Sequence, residues 1–109
     1  MSLDSLARQL LEQAAAASSG RSAHTVYGGH EHVLRQTLIA MTAGAMLSEH
    51  ENPGEATLQI LTGRVRLATE SDTWDGRTGD FIIIPSARHT LEALDDAAVL
   101  LTVGKHTRT

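Results

Sequence analysis

The sequence predicts an all-β domain preceded by one α-helix. Three observations carry that reading. A helical period of apolar residues is confined to the stretch before Gly20. After Gly20 the period falls to two, in short strand candidates spaced roughly 8 to 15 residues apart with turn signals between them, the pattern of a sandwich or barrel. The chain has 109 residues, 11.7 kDa and no Cys. That is the size of one domain, able to bury roughly 65% of its unfolded surface, so its core stands on packing alone or on packing with an oligomer.

Residues 2–18 form the predicted helix. Leu3, Leu6, Leu10 and Leu11, with Ala7 and Ala14, fall on one stripe. A stripe of this kind faces the chain's own domain more often than a partner. Ser2 or Asp4 caps the start, Asp4 and Arg8 stand at i,i+4, and Gly20 after Ser18 and Ser19 supplies the stop. The domain organisation expected is a helix over 1–20 packed on a barrel over 21–109.

The strand candidates follow in order: 33–41, Ala45 to His50, Ala56 to Leu61, Val65 to Glu70, Asp80 to Ile84, His89 to Ala93 and Ala97 to Val103. Asn52-Pro53-Gly54, Thr62-Gly63, Asp75-Gly76, Thr78-Gly79 and Asp95-Asp96 mark the turns between them. Phe81-Ile82-Ile83-Ile84 is apolar at every position, so this strand is expected to be covered on both faces, by the helix or by another subunit. No internal repeat, long linker or low-complexity tract interrupts the series.

Composition excludes several function classes. Without Cys there is no disulfide, thiolate zinc site, iron–sulfur cluster or cysteine nucleophile. The net charge is −4, with one Lys and eight scattered Arg, which argues against a nucleic-acid face. No apolar run approaches the ~20 residues that span a bilayer. The N-terminus lacks a basic start followed by an apolar stretch. The expectation is a soluble cytoplasmic protein with neither nucleic-acid nor membrane partners. Hydrolase and nucleotide motifs are missing too: there is no G-x-S-x-G, no G-x-x-x-x-G-K-[ST], no G-x-G-x-x-G and no H-E-x-x-H.

Six His in a small acidic chain are a surplus. Two of them sit in similar settings. Gly44, His50 and Gly63 frame one stretch, and Gly79, Pro85 and His89 frame another, each with a Gly, a strand, a Pro near a turn and a His at a strand–turn junction. Here the sequence resembles the cupin superfamily, small RmlC-like jelly rolls that hold a metal or small ligand inside the barrel. The family's first motif, G-x5-H-x-H-x3/4-E-x6-G, is matched by Gly44, His50 and Gly63. Its second, G-x5-P-x-G-x2-H-x3-N, is matched by Gly79 and Pro85, with His89 one place early. The resemblance runs from about Gln36 to Val103. It implies a double-stranded β-helix, and it implies a homodimer, with Ala23 to Tyr27 adding a strand to the partner subunit.

The departures bear on chemistry. Family metal sites offer three His and one Glu. Here Asn52 stands at the second His position, Ala56 at the Glu position and Ala87 at the turn Gly, which leaves His50 and His89 as the implied metal ligands. Two imidazoles alone leave most of the coordination sphere of a Zn, Fe, Mn or Ni ion to water. Asn52 shares strand parity with His50 and offers an amide oxygen. Gln59 offers another, but has the opposite parity to Ala56 and turns inward only at a bulge. Alternation places Glu49 and Glu51 opposite to His50. Arg88 is a candidate for an anionic ligand at the barrel mouth, and Trp74 for the mouth itself or for cross-strand packing.

His30-Glu31-His32 is a further His-x-His, expected on an edge strand where both rings face one way. The barrel lining expected from Met46, Leu58 and Ile60 around the two His suits a small, mostly apolar molecule with one polar or anionic end. Two function classes follow. One is a binding module without turnover, with or without a weakly held divalent metal. The other is a metal-dependent enzyme of the dioxygenase, isomerase or decarboxylase type, using His50 and His89.

Overall fold

The structure is a computed structural model. It describes residues 1–50 and 54–105, and only the backbone at 48–50. Helix α1 spans Leu3–Ala16. Ser2 is its N-cap, its hydroxyl accepting the Ser5 N–H at 3.1 Å, and Asp4 pairs with Arg8 at 2.6 Å. The helix stops at Ala17, whose extended backbone breaks the ladder. Gly20 then turns the chain with a φ of 71°, and its carbonyl accepts the Thr42 N–H at 2.8 Å.

Nine strands follow: β1 Arg21–Tyr27, β2 Leu34–Met41, β3 Met46–His50, β4 Gly54–Thr62, β5 Arg64–Ala68, β6 Thr73–Arg77, β7 Phe81–Ile83, β8 His89–Ala93 and β9 Ala97–Lys105. They form two antiparallel sheets, ordered β1-β2-β9-β4-β7 and β3-β8-β5-β6, which face each other as a jelly roll. Gly63, at the β4–β5 turn, needs its φ of 91° and its missing side chain. A Cβ there would lie 2.2 Å from the Asp96 carbonyl oxygen, a backbone atom that cannot step aside.

Three expectations change. The segment around Ala23 to Tyr27 pairs with β2 of its own chain, Arg21 opposite Met41 and Ala23 opposite Ile39. Asp75-Gly76, expected as a turn, lies within a strand, β6. Gly76 lies inside that strand because a Cβ would come within 2.9 Å of the Ile60 side chain. His30, Glu31 and His32 occupy the turn between β1 and β2, not a strand, so their side chains do not share a face by alternation.

Two apolar clusters share the five-stranded sheet. The inner one lies between the sheets, with Met41, Leu58, Ile60, Val65, Leu67 and Val99 nearly or fully buried. The outer one lies under α1, where Ala7, Leu10 and Ala14 meet Leu38, Ala40, Ala98 and Leu100. Burying one large aliphatic such as Leu10 contributes about 1.5–3 kcal/mol. Along β2 the alternation sends Ile39 and Met41 inward and Leu38 and Ala40 to the helix. The strands covered on both faces are therefore β2 and β9. On β7, by contrast, Phe81 is 61% and Ile83 76% exposed, because α1 packs over β1, β2 and β9 instead.

Candidate functional site

His89 opens β8. It alternates with Leu91 and Ala93, all three buried and pointing between the sheets. At 3% exposure it is the one buried polar residue among the described residues. The turn before it supplies its anchor. Pro85 accepts the Ala87 N–H, and the Ala87 carbonyl lies 2.9 Å from His89 Nδ1. A carbonyl only accepts, so Nδ1 carries the proton, and in the neutral ring Nε2 is the acceptor nitrogen.

The ring borders a cavity of about 20 Å³ whose other walls are seven aliphatic side chains, including Ile39, Leu47, Leu58, Ile84 and Leu91. That volume holds about one water molecule. Ile39 and Leu47 also line an outer groove of about 310 Å³ between β1–β2 and β3, together with Ser19, Arg21, Ser22 and Thr37. These two side chains therefore form the wall between groove and cavity. Arg21 ties the two sheets together beside the groove by donating from Nη1 to the Met46 carbonyl at 2.9 Å. Nothing in the sequence motifs pointed to this groove. Its one signal was the inward parity of Ile39 and Leu47.

The sequence-predicted site residues fall in different places. His50 is brought to His89: the two are register partners across β3 and β8, after a register shift beyond Leu47. Asn52 lies outside the described residues. Ala56 faces inward and is buried, so a methyl occupies the family's Glu position. Gln59 is exposed on the outer face. The irregularity in β4 falls between Ile60 and Thr62, too late to turn Gln59 inward. Arg88 is exposed on the turn before β8, at the edge of a surface hollow with Thr69, Glu70 and Ser71. Of the expected lining, Leu58 reaches the cavity, Ile60 is buried in the core beyond it, and Met46 faces out with 48% exposure. Trp74, 40% exposed, stands at the opposite seam, beside β7.

The fit to a metal follows from the donor set. Among the described residues no three His, Cys, Asp or Glu side chains gather at one point. Around His89 the described walls are hydrocarbon. A divalent ion needs several N or O donors, and these walls offer one, so the described residues do not fit a tightly held metal.

Two ion pairs lie along the four-stranded sheet. Arg66 forks onto Asp75 with bonds of 2.7 and 3.0 Å, and Arg64 meets Asp95 at 2.9 Å. The Arg66 hydrogen bond holds the Asp75 carboxyl below the ordinary carboxylate value. Among the described residues no helix is long and apolar enough to cross a membrane.

Comparison with protein-family profiles and with curated proteins finds no match. Solved structures do match. A conserved protein of unknown function from Streptococcus pyogenes is similar with a TM-score of 0.74 at 24% identity, over 84% of this chain and 80% of that one. A cupin superfamily protein from Desulfitobacterium hafniense gives 0.68 at 16% identity, over 78% and 79%. An RmlC-like cupin from Desulfovibrio desulfuricans gives 0.68 at 20% identity, over 77% and 81%. At these identities the likeness is one of fold, and the fold is the cupin jelly roll expected from the two motif stretches.

Proposed function

We propose that this cupin-fold chain is a cytoplasmic binding module without turnover, which takes a small, mostly apolar molecule with one polar end between its sheets. The observation that carries the reading is the make-up of the inner wall: one imidazole among aliphatic side chains. Such a wall rewards burial of hydrocarbon and recognises one polar group. The cavity is smaller than an organic ligand, so the ligand's body occupies the outer groove and its end displaces Ile39 and Leu47 to reach His89. Three aromatic residues in the whole chain are too few for a stacking cage, which fits an aliphatic ligand better than a flat one.

A thermal-shift series of straight-chain alcohols and carboxylates of four to eight carbons tests this. A ligand that binds only the native state at 100 times its Kd adds about 2.7 kcal/mol. The expected result is a raised Tm for some of the series and loss of that rise in His89→Phe. Stabilisation only by large aromatic ligands, or a rise that His89→Phe leaves intact, contradicts the reading.

One observation favours a second reading, the backbone pairing of His50 with His89. It supports a weakly held divalent transition metal on those two residues, the starting point for the dioxygenase, isomerase or decarboxylase alternative. Metal analysis of the purified protein separates the two. Substoichiometric metal lost in both His50→Ala and His89→Ala supports ligation there. Full occupancy that survives both substitutions moves any metal elsewhere. The described donor set carries no catalytic step.

A further inference from the structure

Among the described residues, Arg21 is the one charged side chain that lines the outer groove between β1–β2 and β3. The hydroxyl groups around it are engaged. Ser22 Oγ donates to the Gln13 side chain at 2.9 Å, the Thr37 and Thr25 hydroxyls lie 3.4 Å apart, and Ser19 Oγ accepts the Arg21 N–H at 3.3 Å. The Arg21 guanidinium is engaged only in part. Its Nη1 donates to the Met46 carbonyl, a neutral group. Among the described residues, its Nε and Nη2 have no partner and no carboxylate lies within ion-pair reach.

Arg66 shows what those two donors take. Its Nε and Nη2 grip both oxygens of Asp75, at 2.7 and 3.0 Å. A guanidinium presents this fork to a carboxylate with matched geometry. The position of Arg21 gives the open fork a use. Arg21 and Ala23 alternate onto one face of β1, opposite Met41 and Ile39 of β2. Ala23, Ile39 and Leu47 thus form an apolar strip with the guanidinium at one end. The side chain is partly buried and already tied to the facing sheet, so little rotamer freedom remains for a ligand to freeze.

We infer, on the binding reading proposed above, that the ligand carries a second polar group, a carboxylate at the end opposite His89, held by the Nε–Nη2 fork of Arg21. Its hydrocarbon lies on Ala23, Ile39 and Leu47. One guanidinium balances one negative charge, which selects a carboxylate over a phosphate monoester carrying about −1.5 to −2. Arg88, the arginine the sequence offered for an anion, borders a different hollow, with Glu70 in its lining.

Isothermal titration with a straight-chain ω-hydroxy carboxylate of six carbons and with its methyl ester, both at neutral pH, tests the inference. The ester keeps the chain and removes the charge. Wild type is expected to bind the carboxylate about tenfold tighter than the ester. Arg21→Gln is expected to bring the two affinities together while still binding the ester, a sign that the groove has kept its shape. Arg21→Lys, which keeps the charge but not the fork, is expected to fall between. Arg35→Gln removes an exposed arginine of β2 outside the groove and is expected to keep the wild-type preference. Equal affinities in the wild type overturn the inference and leave the binding module standing. So does a full preference that persists in Arg21→Gln and Arg21→Lys, or one lost in Arg35→Gln. If neither compound binds the wild type, the binding module falls and the inference with it.

Discussion

The inner and outer apolar clusters are built from opposite faces of the same strands, yet only one of them contains a polar group. Under α1, every buried residue is Leu or Ala, and the Ala at positions 7, 14, 40 and 98 let helix and sheet approach closely. Between the sheets, Leu, Ile, Val and Met outnumber three Ala, His89 is buried among them, and a void remains beside it. The outer cluster is a cover, while the inner one is a cover with a site in it. A buried imidazole costs free energy unless its polar atoms are bonded, and the Ala87 carbonyl offsets part of that cost. A core built for stability alone would place Leu at position 89.

Truncations should separate the two clusters most strongly. Leu58 is 1% exposed and borders the existing void, so Leu58→Ala enlarges a cavity that rigid strands cannot close. We expect a loss of about 3–5 kcal/mol, at the high end for such changes. Leu10 is 3% exposed, but on a helix at the surface that can settle toward the sheet. Leu10→Ala is expected to cost about 2–3 kcal/mol. Urea denaturation of both variants checks the order. Equal losses would mean that the inner cluster relaxes as readily as the outer.

A smaller effect sharpens the outer side. The Ser2 hydroxyl caps α1, and Ser2→Ala is expected to cost about 1 kcal/mol. It should raise amide exchange in the first turn of α1 while leaving exchange in β8 unchanged. Faster exchange at β8 would show that the helix also supports the inner site.

How much of this was legible in the sequence follows the same division. Helix α1 was readable because its stripe, its Ser2 cap and the Asp4–Arg8 pair agree with one another. His89 was readable because a Pro turn and strict alternation fix its direction, and β8 appears with the bounds expected. Strand β6 was not, because its one buried position is Gly76, and glycine gives no apolar signal although packing against Ile60 demands it. Phe81 and Ile83 mark another limit: a sequence shows that their face is apolar but not which element reaches it, and α1 packs over β1, β2 and β9 instead. Gln59 illustrates the same limit from the polar side: its parity was plain, and the position of the irregularity in β4 was not.

The smallest expected effect lies outside both clusters. The Arg66 fork holds the Asp75 pKa below its unfolded value, so the stability it contributes is present above the unfolded pKa and is lost as pH falls through the folded one. Both side chains are about half exposed, which keeps the contribution small and screened by salt. In Arg66→Ala the Asp75 carboxyl should titrate nearer the ordinary value by NMR, with a slightly flatter loss of stability in acid. An unchanged titration would remove the fork as its cause.

In the proposed binding mode the ligand end reaches the inner cluster at His89 and leaves the outer one untouched. Methyl and imidazole NMR during titration with a stabilising carboxylate or alcohol tests this directly. The His89 ring and the methyls of Ile39, Leu47, Leu58 and Ile84 are expected to shift together and saturate together, while those of Leu10 and Leu38 stay in place. Shifts confined to the α1 cluster, or saturable binding with the His89 ring unmoved, would contradict it.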